Sequence, residues 1–331
     1  MRTARRMSWS LVAFACTTAL LGALPHLIGT TWSAVGQLLA SVPPTALAGL
    51  GIVWIAGLWS HSFVLAASLP GLTKRRALSL SLAGSAVSNV LPLGGAAGTG
   101  LNLAMVRSWG FTTALFTRFL TITQLLNVLS KLAVIGLAVL VGTVVHDAVP
   151  LPARGATLLA VPVLVGVALA LLLVFVPGAA ERCGRVLTRI TRRKRVGDAL
   201  VRIRTDIAAS FHGRWPVMTG GMIAYLLLQA VLLALCFAAL GSPLPPTALL
   251  AAFAAERLLT LIVVTPGGAG VVEAGTAAAL VATGTDPAIA AAGLLLFRGF
   301  TYLMEIPVGG VILAGWIVGR SRPAELVEGR R

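Results

Sequence analysis

The chain contains long Leu/Val/Ala runs without a charged residue, such as 155–177 and 216–240. Each is long enough to cross a hydrocarbon core of about 30 Å as a helix. Runs of this kind fix the solvent before they fix the fold. Hydrocarbon offers no water to backbone N–H and C=O groups, so these must be satisfied inside helices or a closed barrel. Continuous apolar runs, rather than alternating dyads, select helices. Composition agrees: the 331 residues are 57% hydrophobic and 11% charged, with a mean hydropathy of +0.94, far from a soluble globular domain.

Six full spans are expected, at 8–29, 45–69, 115–145, 155–177, 216–240 and 288–319. Two more apolar segments, 77–107 and 248–283, are each interrupted by a Pro-Gly cluster, Pro92-Leu93-Gly94-Gly95 and Pro266-Gly267-Gly268. Proline removes a backbone donor and glycine permits tight turns, so both segments read as broken or re-entrant helical hairpins. The expected fold is therefore all-α, a polytopic transmembrane bundle of six full spans plus two broken hairpins. Arg2, Arg5 and Arg6 ahead of an apolar run through Leu24 resemble a signal peptide, but the run is long enough to span and is read as the first helix.

The formal charge of +16 flanks the spans rather than forming one surface, which argues against nucleic acid. With the N-terminus inside, the cytoplasmic side collects the basic residues at 2–6, 74–76, 107, 182–204, 214, 320, 322 and 330–331. Outside that set remain only Arg118, Lys131, Arg154, Arg257 and Arg298, the asymmetry expected of a plasma-membrane protein with both termini cytoplasmic. This orientation needs the two hairpins to enter from opposite faces, which suggests an inverted arrangement. The chain reads as a single transmembrane domain over 1–331, with a basic amphipathic linker at 182–204 and a tail at 321–331. The linker is suited to anionic headgroups, at about 1 kcal/mol per basic residue near the surface.

Charged side chains at membrane depth cost at least ~2.5 kcal/mol each and persist when paired or used. Glu256, Arg257 and Glu273 fall within the second broken segment, and Arg298 and Glu305 within the last span. Buried ion pairs among them would pin helices together. Alternatively, Arg257 or Arg298 meets a lipid phosphate through its planar fork while Glu273 holds the arginine. Gly267, Gly268 and Gly270, after Pro266, would offer backbone N–H groups at a half-helix start, a natural anion site. In the first hairpin, Asn89, Gly94 and Gly95 suit a helix-packing face or a lumen, and the Asn89 amide needs a partner. Lys131 lies mid-span and is expected to pair with an acid from another helix.

Cys16, Cys183 and Cys236 form no disulfide or metal framework, and His26, His61, His146 and His212 lack ligand spacing. There is no Walker loop, H-E-x-x-H or nucleophile elbow. The expectation is a protein that is not an enzyme and carries no cofactor or metal.

Taken together, Arg257 with Pro266-Gly267-Gly268-Ala269-Gly270 and Glu273, Arg298 with Pro307 and Gly309, and Asn89 with Pro92 and Gly94-Gly95 resemble the flippase-like transmembrane domain of lysylphosphatidylglycerol synthases. The resemblance covers roughly residues 10 to 320 and implies translocation of an anionic lipid. The sequence ends shortly after its last span, without a synthase domain, so it resembles a stand-alone member and lysyl transfer is not expected. Two other functions fit the same residues. One is an accessory subunit of an envelope-lipid enzyme or glycosyltransferase, with a membrane enzyme as partner. The other is a proton-coupled small-solute transporter using Glu273 or Glu305 as carrier.

Overall fold

The computed structural model describes residues 18–91, 94–144, 178–191, 213–261 and 268–321, with short pieces at 165–166, 169, 201 and 205. Every regular element among them is helical. In chain order they are α1 (Thr18–Leu27), α2 (Trp32–Ala40), α3 (Pro44–Ser68), α4 (Lys74–Val90), α5 (Gly94–Ser108), α6 (Thr113–Val144), α7 (Ala179–Thr191) and α8 (Trp215–Ala239). There follow α9 (Pro246–Leu259), α10 (Val271–Ala282), α11 (Pro287–Arg298), a π-helical turn (Gly299–Leu303) and α12 (Glu305–Ser321).

Four helical stretches among the described residues are long and apolar enough to cross a membrane: Pro44–Ser68, Thr113–Gly142, Trp215–Ala239 and Pro287–Arg320. They carry large apolar side chains on their outer surface, among them Ile52, Leu140, Leu227 and Val311. Such a surface suits lipid and not water, and the chain is a helical membrane protein. Most of the expected span at 155–177 and the start of the span at 8–29 lie outside the described residues, as do Cys16, His146, His212 and the tail beyond residue 321.

Both interrupted segments form helix pairs. The first becomes α4 and α5, packed on each other, with Ser88 donating its hydroxyl to the Gly94 carbonyl at 3.0 Å. The second becomes α9 and α10, also in contact. Between these hairpins, α3 lies against α8 in the most extensive helix contact of the molecule. Trp54 and Leu58 of α3 meet Leu232, Leu233 and Phe237 of α8 in one buried cluster. Phe253, Leu280, Leu294 and Phe297 join it from α9, α10 and α11. Because lipid tails are as apolar as these side chains, close packing and interhelical hydrogen bonds drive the association.

The final span differs from a plain helix. The Met304 N–H reaches back five residues to the Gly299 carbonyl at 2.8 Å, which makes the π turn. Pro307 supplies the reason: it has no N–H to offer the Leu303 carbonyl, and its ring crowds that carbonyl in a regular helix. A helix of this length spans about 50 Å, so the turn falls near the middle of Pro287–Arg320. Beyond it, α12 lies tightly on α4, where a Cβ at Gly309 would collide with the Leu82 carbonyl and the Ala86 methyl.

Two segments read from sequence as connections contain structure. The connection left between the expected spans 8–29 and 45–69 holds α2, whose N-terminus is capped by the Thr31 hydroxyl accepting from the Ala34 N–H at 3.3 Å. Val35 of α2 packs on Ala291 and Ala292 of α11. The basic linker begins as α7, with Arg182, Arg185 and Arg189 exposed, while 192–200 and 202–204 lie outside the described residues.

Candidate functional site

The second hairpin turns through two glycines that only glycine suits. Gly268 and Gly270 have φ of +73° and +87°, in the left-handed region where a Cβ is strained. Gly270 caps α10, and its N–H donates to Glu273 Oε2 at 2.6 Å. The other carboxylate oxygen, Oε1, accepts from Arg298 Nε, also at 2.6 Å. Both side chains are buried, Glu273 with 3% and Arg298 with 8% of its surface exposed. The anion at this half-helix start is thus the protein's own carboxylate. The sequence suggested that Gly270 offers a free backbone donor; instead that donor is taken, and the Glu273–Arg298 pair ties α10 to the end of α11.

A second buried arginine sits on α9. Arg257 Nη2 donates to the Gln229 side-chain carbonyl on α8 at 2.7 Å, and its guanidinium lies 4.7 Å from the centroid of the Phe253 ring. Its Nε is 2.5 Å from Glu256 Oε2. Adjacent residues on a helix do not face each other. Accordingly, neither Glu256 Oε2 nor Arg257 Nε makes an aligned hydrogen bond among the described residues. Charge proximity without a good hydrogen bond is a weaker hold than the Glu273–Arg298 contact.

The first hairpin reaches this region through one residue. The Asn89 side-chain amide donates to the Tyr302 carbonyl at 3.2 Å, and the Tyr302 hydroxyl donates to the Asn89 carbonyl at 2.7 Å. Arg298 in turn lies over the Tyr302 ring, 4.8 Å from its centroid. Asn89, Tyr302, Arg298, Glu273 and Gly270 therefore form a continuous path from the end of α4 to the turn before α10. The π turn joins the two breaks.

Other residues singled out from sequence fall differently. Gly94 is buried against the Ser88 backbone, whereas Gly95 is exposed with open space around it and packs on nothing. Pro92, Pro266 and Gly267 lie outside the described residues. Lys131 and Glu305 were expected in ion pairs, and neither forms one among the described residues. Lys131 is within electrostatic reach of Glu256 and Arg257, because α6 packs on α9, but Glu256 already lies against Arg257. Glu305 lies near Ser85 of α4 and senses the charge of Arg298, which is held by Glu273.

Sequence reasoning missed Tyr302, Tyr225 and Gln229. Tyr225 lies near Gln229, senses Glu305, Arg257 and Glu256, and stacks on His61 at 4.6 Å. A signal was present: the chain has two tyrosines, both inside apolar spans, and a buried phenol needs a hydrogen-bond partner. Among the described residues, no group of three or more His, Cys, Asp or Glu could hold a metal ion.

The arrangement can hold one arginine beside a carboxylate and a second beside a neutral amide, both shielded from water. Comparison with known proteins finds a match to the family described as "Lysylphosphatidylglycerol synthase TM region", over residues 8–309. Comparison with curated proteins finds no match.

Proposed function

The chain belongs to the lysylphosphatidylglycerol synthase transmembrane-region family, and from that premise we propose that it moves an anionic phospholipid across the membrane, with Arg298 and Arg257 as the groups that meet the phosphate. Membership ties the chain to membrane-lipid function. The observation that carries the finer reading is the buried Glu273–Arg298 pair at the junction of the two broken helices.

A phosphate can meet the Arg298 guanidinium in place of Glu273, because it brings the same sign and more acceptor oxygens. Removing either partner alone from such a pair leaves an uncompensated buried charge, at a cost of about 3–5 kcal/mol. Exchange between two anionic partners keeps the guanidinium paired, and the displaced Glu273 carboxylate retains the Gly270 N–H. Arg257, held by a neutral amide and a poorly aligned carboxylate, is a second station with a weaker internal competitor. Tyr302 links the exchange to the first hairpin, since a displacement of Arg298 bears directly on the ring it covers. In this reading the protein lies in the plasma membrane with both termini cytoplasmic, in keeping with the distribution of its Lys and Arg residues. It carries no catalytic centre of its own.

The test is headgroup translocation in proteoliposomes containing phosphatidylglycerol, comparing wild type with Arg298→Ala, Arg257→Ala and Glu273→Gln. Loss of translocation in both arginine variants, with a milder effect of Glu273→Gln, is the expected result. Equal rates in all four proteins would remove the assigned roles.

A further inference from the structure

Between α3, α8 and the π turn lies a cavity with room for the centre of a single water, about 10 Å³. Its wall includes Trp54, Tyr225, Gln229, Thr301 and Glu305. Such a space is too small for a lipid headgroup and matches one water, provided polar partners surround it. They do. Trp54 is 9% exposed, and its indole N–H is fully buried with no hydrogen-bond partner among the described residues. An indole N–H is a donor only, so the missing partner must be an acceptor. A water oxygen supplies it, and the same water can donate to the Glu305 carboxylate.

Glu305 differs from the other two acids of this region. Glu273 uses one oxygen on Arg298 and the other on the Gly270 N–H, and Glu256 lies against Arg257. Glu305 is near the Ser85 hydroxyl of α4 but has no ion pair among the described residues. The titratable or charged groups facing it are Tyr225 on α8, with His61 of α3 stacked behind it, and Arg298 at the end of α11. Beyond Gln229 stand Arg257 and Glu256 of α9. An acid inside a membrane without a cationic partner is the kind of group that carries protons.

We infer that Glu305 and the water-sized cavity beside it form a proton-binding site within the membrane, with one bound water that is held by the Trp54 N–H and passes the proton to the carboxylate. On protonation an O–H bond forms at a Glu305 oxygen and one breaks on the protonated water, which returns to neutral water. The carboxylate goes from charge −1 to zero. The site takes a proton and not a metal cation, because the Trp54 N–H presents a donor where a cation needs an oxygen. This inference does not rest on lipid translocation.

The test is infrared difference spectroscopy of the full chain in phosphatidylcholine vesicles, stepping from alkaline to acidic buffer. Wild type is expected to gain the carbonyl band of a buried neutral carboxylic acid, and Glu305→Gln to lack it. Asp286→Asn, which removes an exposed acid and keeps the α11 cap, is expected to keep the band. Trp54→Phe preserves the ring but deletes the N–H, and is expected to move the band because the water loses its anchor. An undiminished band in Glu305→Gln, loss of the band in Asp286→Asn, or a Trp54→Phe spectrum identical to wild type would overturn the inference. Should Glu305→Gln fail to yield folded protein, the Trp54→Phe comparison decides alone.

Discussion

Asn89 and Tyr302 hold each other twice: the amide of one donates to the backbone carbonyl of the other at 3.2 Å, and the phenol returns a bond to the Asn89 carbonyl at 2.7 Å. These residues are 213 positions apart, and through them the first hairpin reads the position of Arg298. Interhelical hydrogen bonds in membranes are worth about 0.6–2 kcal/mol each. Tyr302→Phe removes one and Asn89→Ala the other, so each should destabilise the protein by about that amount. A double-mutant cycle of unfolding in mild detergent checks it. Strictly additive single effects would show that the two residues act independently.

The buried pair predicts an asymmetry. Arg298→Met alone strands the Glu273 carboxylate and should cost about 3–5 kcal/mol of stability, whereas Arg298→Met with Glu273→Leu should recover most of it. Thermal unfolding of the three proteins measures this. A double variant less stable than the single one would contradict the pairing.

Close approach of α12 to α4 requires Gly309. Adding one methyl there puts a carbon on the Leu82 carbonyl, so Gly309→Ala should destabilise by about 1–3 kcal/mol, as overpacking does. At Gly95 nothing lies within reach of a Cβ. Gly95→Ala should leave stability unchanged or raise it slightly, because alanine favours the helix. Melting temperatures of the two variants separate a packing glycine from a permissive one.

Gly270 is the left-handed residue that aims its N–H at Glu273. Gly270→Ala imposes about 1–2 kcal/mol of backbone strain and weakens the hold on Glu273. The expected readout is a faster hydrogen exchange of the amides at the start of α10, with little change in α3 and α8. Unchanged exchange at Val271–Glu273 would show that the cap does not depend on this conformation.

Much of this architecture was legible because its causes are local. Pro-Gly clusters announced both breaks, and they appear where α4 gives way to α5 and α9 to α10. Charges inside apolar runs announced a buried cluster, and Glu273 does meet Arg298. What stayed hidden depends on contacts between distant segments. Nothing near Tyr302 names Asn89, and nothing near Arg257 names Gln229, 28 residues away. Proximity also misled: Glu256 and Arg257 are neighbours, yet their helix positions give contact without alignment. The π turn was implicit in Pro307, but its consequence appears only when the carbonyl that the proline cannot serve is followed to Leu303. In the segment at 30–44, Thr31 was a capping signal that a loop reading overlooked.

The central claim is that a lipid phosphate takes the place of Glu273 at the Arg298 guanidinium. Solid-state NMR distance measurement between lipid phosphorus and the Arg298 side-chain nitrogens, in phosphatidylglycerol bilayers, addresses it directly. Direct phosphate contact, strengthened in Glu273→Gln where the competing carboxylate is gone, is the predicted result. Lipid phosphorus remaining beyond contact with Arg298 in both proteins, while phosphatidylglycerol is still translocated, would contradict it.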